Sequence, residues 1–218
     1  MAPIAFNSPW LILCEGEGDE AFFRHLIDER RLPAFEIQRP KPLGGKTSFG
    51  QRLSGLKTHP DFKRLQGILI VSDNDDDPKA AFQNIRDQVA WAGFGVPDKP
   101  LEAARAPDLP AIVIAMLPWS DQSGDLESVC LIAASEMRPD IAACLDAYCG
   151  CTKASMWKPS KLSKMRMRCF LSAACEVDPN TSLVYAWSGE GRGVLIPLAH
   201  SCFDGIAGVL ANFPKFLE

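Results

Sequence analysis

Gly67-Ile68-Leu69-Ile70-Val71 is the strongest strand signal in the chain, and it runs straight into Ser72-Asp73-Asn74-Asp75-Asp76-Asp77-Pro78. A short run that is apolar at every position suits a strand covered on both faces, as in a parallel sheet. The abrupt change to acids marks where the strand ends. Pro78 is favoured at the first position of a helix and predicts one over about 79 to 92.

Two other segments repeat this design. Trp10-Leu11-Ile12-Leu13-Cys14 breaks at Glu15-Gly16-Glu17-Gly18, and residues 19 to 30 then place Phe22, Phe23, Leu26 and Ile27 at helical spacing. Ala111 to Leu117 is a third buried strand, followed by a polar loop over 118 to 124 and a helix from near Asp125. Phe35-Glu36-Ile37-Gln38 alternates as a further strand, residues 40 to 46 and 93 to 110 read as loops, and a short helix is expected over Ser48 to Thr58. Residues 138 to 148, 159 to 175 and 201 to 212 look helical. Leu183 to Trp187 is either a late strand or the end of a helical cap. Strands alternating with helices predict an α/β fold with a mostly parallel sheet and right-handed crossovers. Ligands in such sheets bind at the carboxyl ends of the strands, at a topological switch point.

A chain of 218 residues suits one domain, or one domain with a modest extension. The net charge of -4 supplies no global basic field, which argues against a tight stoichiometric DNA binder. It does not argue against a nuclease, because metals at the site screen the phosphates of the substrate. The eight cysteines follow no recognisable secretory signal and read as free thiols in a reducing cytosol. Cys149-Gly-Cys151 is the one close pair, and structural zinc sites ordinarily need two pairs. No apolar run approaches bilayer length, so a cytoplasmic protein away from membranes is expected.

Three strand ends deliver acids: Glu15, then Asp73 and Asp75, then the loop that leads to Asp121, Asp125 and Glu127. In a parallel sheet all three open on one edge, where crowded carboxylates repel unless a cation joins them. Hard oxygen ligands favour Mg²⁺ or Mn²⁺. Asp73 and Asp75 are two apart and would point the same way in an extended backbone. The glycines at 16 and 18 let the chain turn so that Asp19 can return near Glu15.

At these residues the chain resembles the Toprim family of topoisomerases, primases and several nucleases. The resemblance covers Leu11 to Asp19, with its Glu15-Gly16 and later acid, and Ile68 to Asp75, with its Asp-x-Asp, and the glycines at 44 and 45 between them. Ser123-Gly124-Asp125-Leu126-Glu127 is similar to a segment of the overcoming-lysogenization-defect (OLD) nucleases and of small stand-alone Toprim proteins. The resemblance implies a Rossmann-like Toprim domain over 8 to 135 with a mainly helical extension over 136 to 218 packed on it. It implies a Mg²⁺-dependent (or Mn²⁺-dependent) nuclease cutting DNA or RNA by a two-metal mechanism, in phage defence or nucleic-acid maintenance. Glu15 resembles the family's general acid/base and also a metal ligand. Asp19, Asp73 and Asp75 would hold one metal, Glu127 would help hold the second, and Lys164 or Lys161 would serve the transition state. No P-loop is present, so any ATP gating needs a separate ATPase partner.

The same residues have plainer readings. Asp73 to Asp77 could be a solvated turn and helix cap, with Asp76 and Asp77 the better candidates for capping. Glu127 could be an ordinary first-turn acid, and Lys161 and Lys164 could be surface charges. Trp119 could stack a base or simply pack at a rim. The alternative function is a non-catalytic Toprim module that binds metal and a phosphate ligand or a partner protein. Oligomeric state is not written in the sequence.

Overall fold

A computed structural model describes residues 6–39, 48–119, 122–187 and 193–217. The sheet is built from β1 (Trp10–Leu13), β2 (Glu36–Gln38), β3 (Gly67–Asp73), β4 (Ala103–Ala104) and β5 (Ala111–Leu117). Their order is β2-β1-β3-β5-β4, with all neighbours parallel except the β4–β5 pair. The helices are α1 (Glu17–Arg30), α2 (Phe49–Leu56), α3 (Pro78–Trp91), α4 (Leu126–Met137), α5 (Pro139–Cys151), α6 (Pro159–Ala174), α7 (Asp204–Ala211) and α8 (Phe213–Phe216). This is the expected α/β architecture, a Rossmann-like sheet with helices on both faces.

The strand alternation sorts the core into two layers. Leu11, Leu13, Ile68, Ile70, Ile112 and Ile114 face α2 and α3, where Phe49, Leu53, Ile85 and Val89 meet them. Ile12, Leu69, Val71, Val113 and Ala115 face the other way, toward α1, α4, α6 and α7. The seven residues of β3 and the seven of β5 are all buried, which is why both read as uninterrupted apolar runs.

The chain after residue 136 shares the second layer. Phe22 of α1 lies tilted against Phe203 at 5.3 Å and against Trp187 at 5.7 Å, while Phe35 meets Phe213 at 5.4 Å. Arg30, at the end of α1, donates to the carbonyls of Leu198 and His200, both at 2.8 Å, and pairs with Asp204 at 2.7 Å.

Leu183–Tyr185 forms a 3-10 turn and not a strand; it joins neither edge of the sheet and packs on α1, with Leu183 against Gly18. Residues 93 to 110 hold a two-residue strand, β4, that carries no side-chain signature and exists through its ladder to β5. All eight cysteines are free thiols. Cys149 is buried and Cys151 exposed on α5. Trp119 packs at the rim, so close to Gly205 that a Cβ there would stand 3.0 Å from the indole. No helix among the described residues is long and apolar enough to cross a membrane.

Candidate functional site

The chain leaves β1 toward β2 on one side, and β3 lies on the other, so the switch point falls between the carboxyl ends of β1 and β3. Glu15 and Asp73 stand at those two ends. They share one edge: Oε1 of Glu15 accepts the Asp73 N–H at 2.9 Å and the Ser72 hydroxyl at 2.5 Å. Asp19 joins them from the first turn of α1, where its Oδ2 accepts the Gly16 N–H at 2.9 Å in the reciprocal half of a cap. Asp73 is buried, and its Oδ1 accepts the N–H of Leu126, the first residue of α4, at 3.0 Å. The amino ends of α1 and α4 thus both direct their positive dipole ends at carboxylates.

These groups line one cleft of about 700 Å³. Glu15, Asp19, Asp73 and Glu127 are on its walls, and Lys164 of α6 is there too. The remainder comes from Gly16, Gly18 and Leu126, from α6 and from the segment Pro179–Val184.

The charges are poorly matched. Burial, and then the charge of Glu15, raises the Asp19 carboxyl to about 7. Burial followed by the charges of Asp19, Glu15 and Glu127 pushes Asp73 well above the usual carboxylate range. Glu127 is raised by burial and by Asp125. Burial alone would lower the Lys164 ammonium, but Glu127, Asp73, Asp125 and Asp75 outweigh it and hold Lys164 above its ordinary value. One lysine faces several acids, and the deficit in positive charge is the feature a cation would answer.

Asp125 behaves differently. It is fully buried and caps α4, its Oδ1 accepting the Ser128 N–H at 2.9 Å and hydroxyl at 2.6 Å. Its Oδ2 accepts the Ser163 hydroxyl at 2.7 Å, which ties α4 to α6. Gly124 precedes it at φ +142, and a Cβ there would come within 2.9 Å of Pro118 and of Ser128.

Asp75 does not line the cleft. β3 ends at Asp73, and Asp75 sits at φ +49 in a bridge to Gly124, so extended-strand alternation does not reach it. It stays close enough to act on Lys164 through charge. Lys161 is exposed and is not a wall residue, so of the two lysines only Lys164 reaches the acids. Asp77 caps α3 through the Ala80 N–H at 3.0 Å, while Asp76 accepts the Ser160 hydroxyl at 3.1 Å near the start of α6. Asp121 and the glycines at 44 and 45 lie outside the described residues. Arg168, at the end of the basic run that begins at Lys161, is a second basic wall residue. Its position four residues after Lys164 was the available signal.

The donor set fits a hard divalent ion by type, since it is carboxylate throughout. Among the described residues, however, no three acid, histidine or cysteine side chains stand close enough together to hold an ion as they are placed. One oxygen of each of Glu15, Asp19 and Asp73 is engaged by a backbone N–H, and gathering these acids around an ion requires side-chain movement.

No curated protein and no solved structure matches the chain. A family match does run over residues 9–193, across the sheet and through α4, α5 and α6, and with most of its length inside that match the chain belongs to the family described as protein of unknown function (DUF3226).

Proposed function

We propose that this protein is a Toprim-type nuclease that hydrolyses phosphodiester bonds in DNA or RNA with Mg²⁺ or Mn²⁺ as its cofactor. One arrangement carries the reading: acids from two adjacent strand ends and two helix amino ends meet in one cleft, with a lysine among its wall residues. Asp19, Asp73 and Glu127 would hold the ions, with Asp75 entering from beyond the cleft wall. When bound, the ions would supply Lewis acidity at the phosphate.

The chain's own groups account for the rest. Glu15 is held through Oε1 by Ser72 and the Asp73 N–H, which fixes the carboxylate and leaves Oε2 to take and return a proton. Lys164 would neutralise charge that develops on the phosphoryl oxygens. The segment Pro179–Val184 covers part of the cleft and reduces the water around these groups. A cytoplasmic setting, a role in phage defence or nucleic-acid maintenance, and a separate ATPase partner belong to the same proposal.

The test is a nicking assay on plasmid, single-stranded DNA and transfer RNA in Mg²⁺ or Mn²⁺, with Glu15→Ala and Asp73→Ala alongside. Metal-dependent cutting that both variants lose is the expected result. Equal cutting by all three preparations removes the nuclease claim. Calorimetric metal binding without any cutting leaves a binding module.

A further inference from the structure

The basic wall of the cleft belongs to α6. Lys164 and Arg168 are one helical turn apart and both line the cleft, with Ser172 a turn further on. Lys164 is held by the charges of the acids. Arg168 is exposed and, among the described residues, makes no hydrogen bond and no ion pair. A guanidinium is a planar fork of donors matched to phosphate oxygens, so an unpaired one on a cleft wall is suited to bidentate phosphate binding.

The other walls define what else the ligand must be. Leu126, Met167 and Leu171 are almost fully buried beneath the charged groups, and the apolar surface left open in the cleft is that of Pro179, Leu183 and Val184. The segment Pro179–Val184 forms a third side. The Ser172 hydroxyl donates to the Pro179 carbonyl, and Leu183 lies against Gly18, where a Cβ would stand 3.3 Å away. Thr181 is buried on this side, and its hydroxyl has no hydrogen-bond partner among the described residues. Cation, carboxylate and apolar surface therefore alternate within one cleft of about 700 Å³, the size of a small-ligand pocket.

We infer that Arg168 anchors the phosphate of a single-stranded nucleic acid threaded through this cleft, with one unstacked base against Pro179, Leu183 and Val184. A single strand can splay a base and lower its phosphate between α6 and the acids. A duplex keeps its bases stacked inside it and so presents no single base to the cleft. The net charge of -4 supplies no global basic field that would hold a duplex outside it. The inference rests on the nuclease reading and names its substrate class.

The experiment is fluorescence anisotropy with a fluorescein-labelled thymidine oligonucleotide of about 12 nucleotides, within the site sizes of single-strand binders. A hairpin duplex of the same sequence length is the comparison, both in Ca²⁺ and in EDTA. Wild type is expected to bind the single strand roughly tenfold more tightly than the hairpin, the worth of one stacked base. Arg168→Ala is expected to weaken binding about tenfold and to flatten the slope of log affinity against log salt by about 0.7, one phosphate contact on a single strand. Arg168→Lys should keep the slope and recover part of the affinity, and Thr181→Val should lose about threefold. Calorimetric Mn²⁺ binding should be equal in wild type and Arg168→Ala. An unchanged affinity and slope in Arg168→Ala overturns the inference, as does equal binding of the hairpin or no oligonucleotide binding by wild type. Equal competition by thymidine monophosphate also overturns it and makes the ligand a small phosphate. Nicking that depends on Glu15 but not on Arg168 sinks this inference and spares the nuclease reading. Failure of Mn²⁺ to bind wild type does the reverse, because the EDTA titration judges the anchor by itself.

Discussion

Asp125 and Asp73 are both buried carboxylates at the head of α4, and they stand in opposite surroundings. Asp125 is met by three donors from Ser128 and Ser163 and is not among the wall residues of the cleft. Asp73 accepts the Leu126 N–H and shares its cleft with Asp19, Glu15 and Glu127. A buried carboxylate supplied with donors fastens elements together. A buried carboxylate set among like charges costs stability until something positive arrives. Burial alone does not separate architecture from chemistry; the partners do.

The contrast can be tested at several strengths. Asp73→Asn keeps an oxygen for the Leu126 N–H and removes the charge. Nicking should fall about 10²–10⁴-fold, the range for loss of a group acting at the reacting phosphate, while the midpoint of urea unfolding holds or rises. A variant that unfolded more readily than wild type would make Asp73 a fastener like Asp125. Asp125→Ala should do the opposite in a urea titration, lowering stability by about 3 kcal/mol at constant slope through loss of a cap and of the Ser163 tie. A loss under about 1 kcal/mol there would dissolve the contrast. Gly124→Ala places a methyl against Pro118 and Ser128 at a positive φ, and about 2 kcal/mol should be lost in the same titration.

A smaller effect comes from pH. The Asp19 carboxyl, at about 7 against an ordinary 3.8, holds its proton more tightly in the folded protein than in the unfolded one. Without divalent ions, stability from this group is full below about pH 4 and is lost as pH rises toward 7. A cation that replaces the proton reverses this, so Mg²⁺ should raise the thermal midpoint by about 2–4 °C at pH 8 and by less at pH 5. Equal shifts at both values would place the ion elsewhere. The smallest change should come from Cys151→Ser, an exposed thiol on α5, with stability and metal binding within about 0.5 kcal/mol of wild type.

The most legible parts of the fold were those buried on both sides. β5 runs over Ala111–Leu117, the span its composition predicts, and β3 exceeds its apolar run only by Ser72 and Asp73. α1 and α3 were marked by the glycine break and by Pro78. β4 left no trace because a two-residue strand is defined by its partner's hydrogen bonds. The 183–185 segment was ambiguous because its apolar residues cover α1 without forming a ladder. At the site, Glu15 and Asp73 followed from strand ends. Asp75 leaves the alternation it would share with Asp73 because the backbone turns left-handed there. Lys161 and Lys164 are three apart on one helix, and only the placement of α6, fixed by Ser163, Met167 and Phe170, puts the second at the cleft.

Composition and period by themselves determined that this chain makes a mostly parallel sheet with acids at its carboxyl edge, because apolar periodicity dictates which residues leave water and chain polarity dictates where strands end. Only the tertiary structure decided which acids face one another, which one is absorbed into a helix cap, and which basic residues stand across from them. Those outcomes depend on how helices distant in sequence pack on the sheet, and no local pattern encodes that packing.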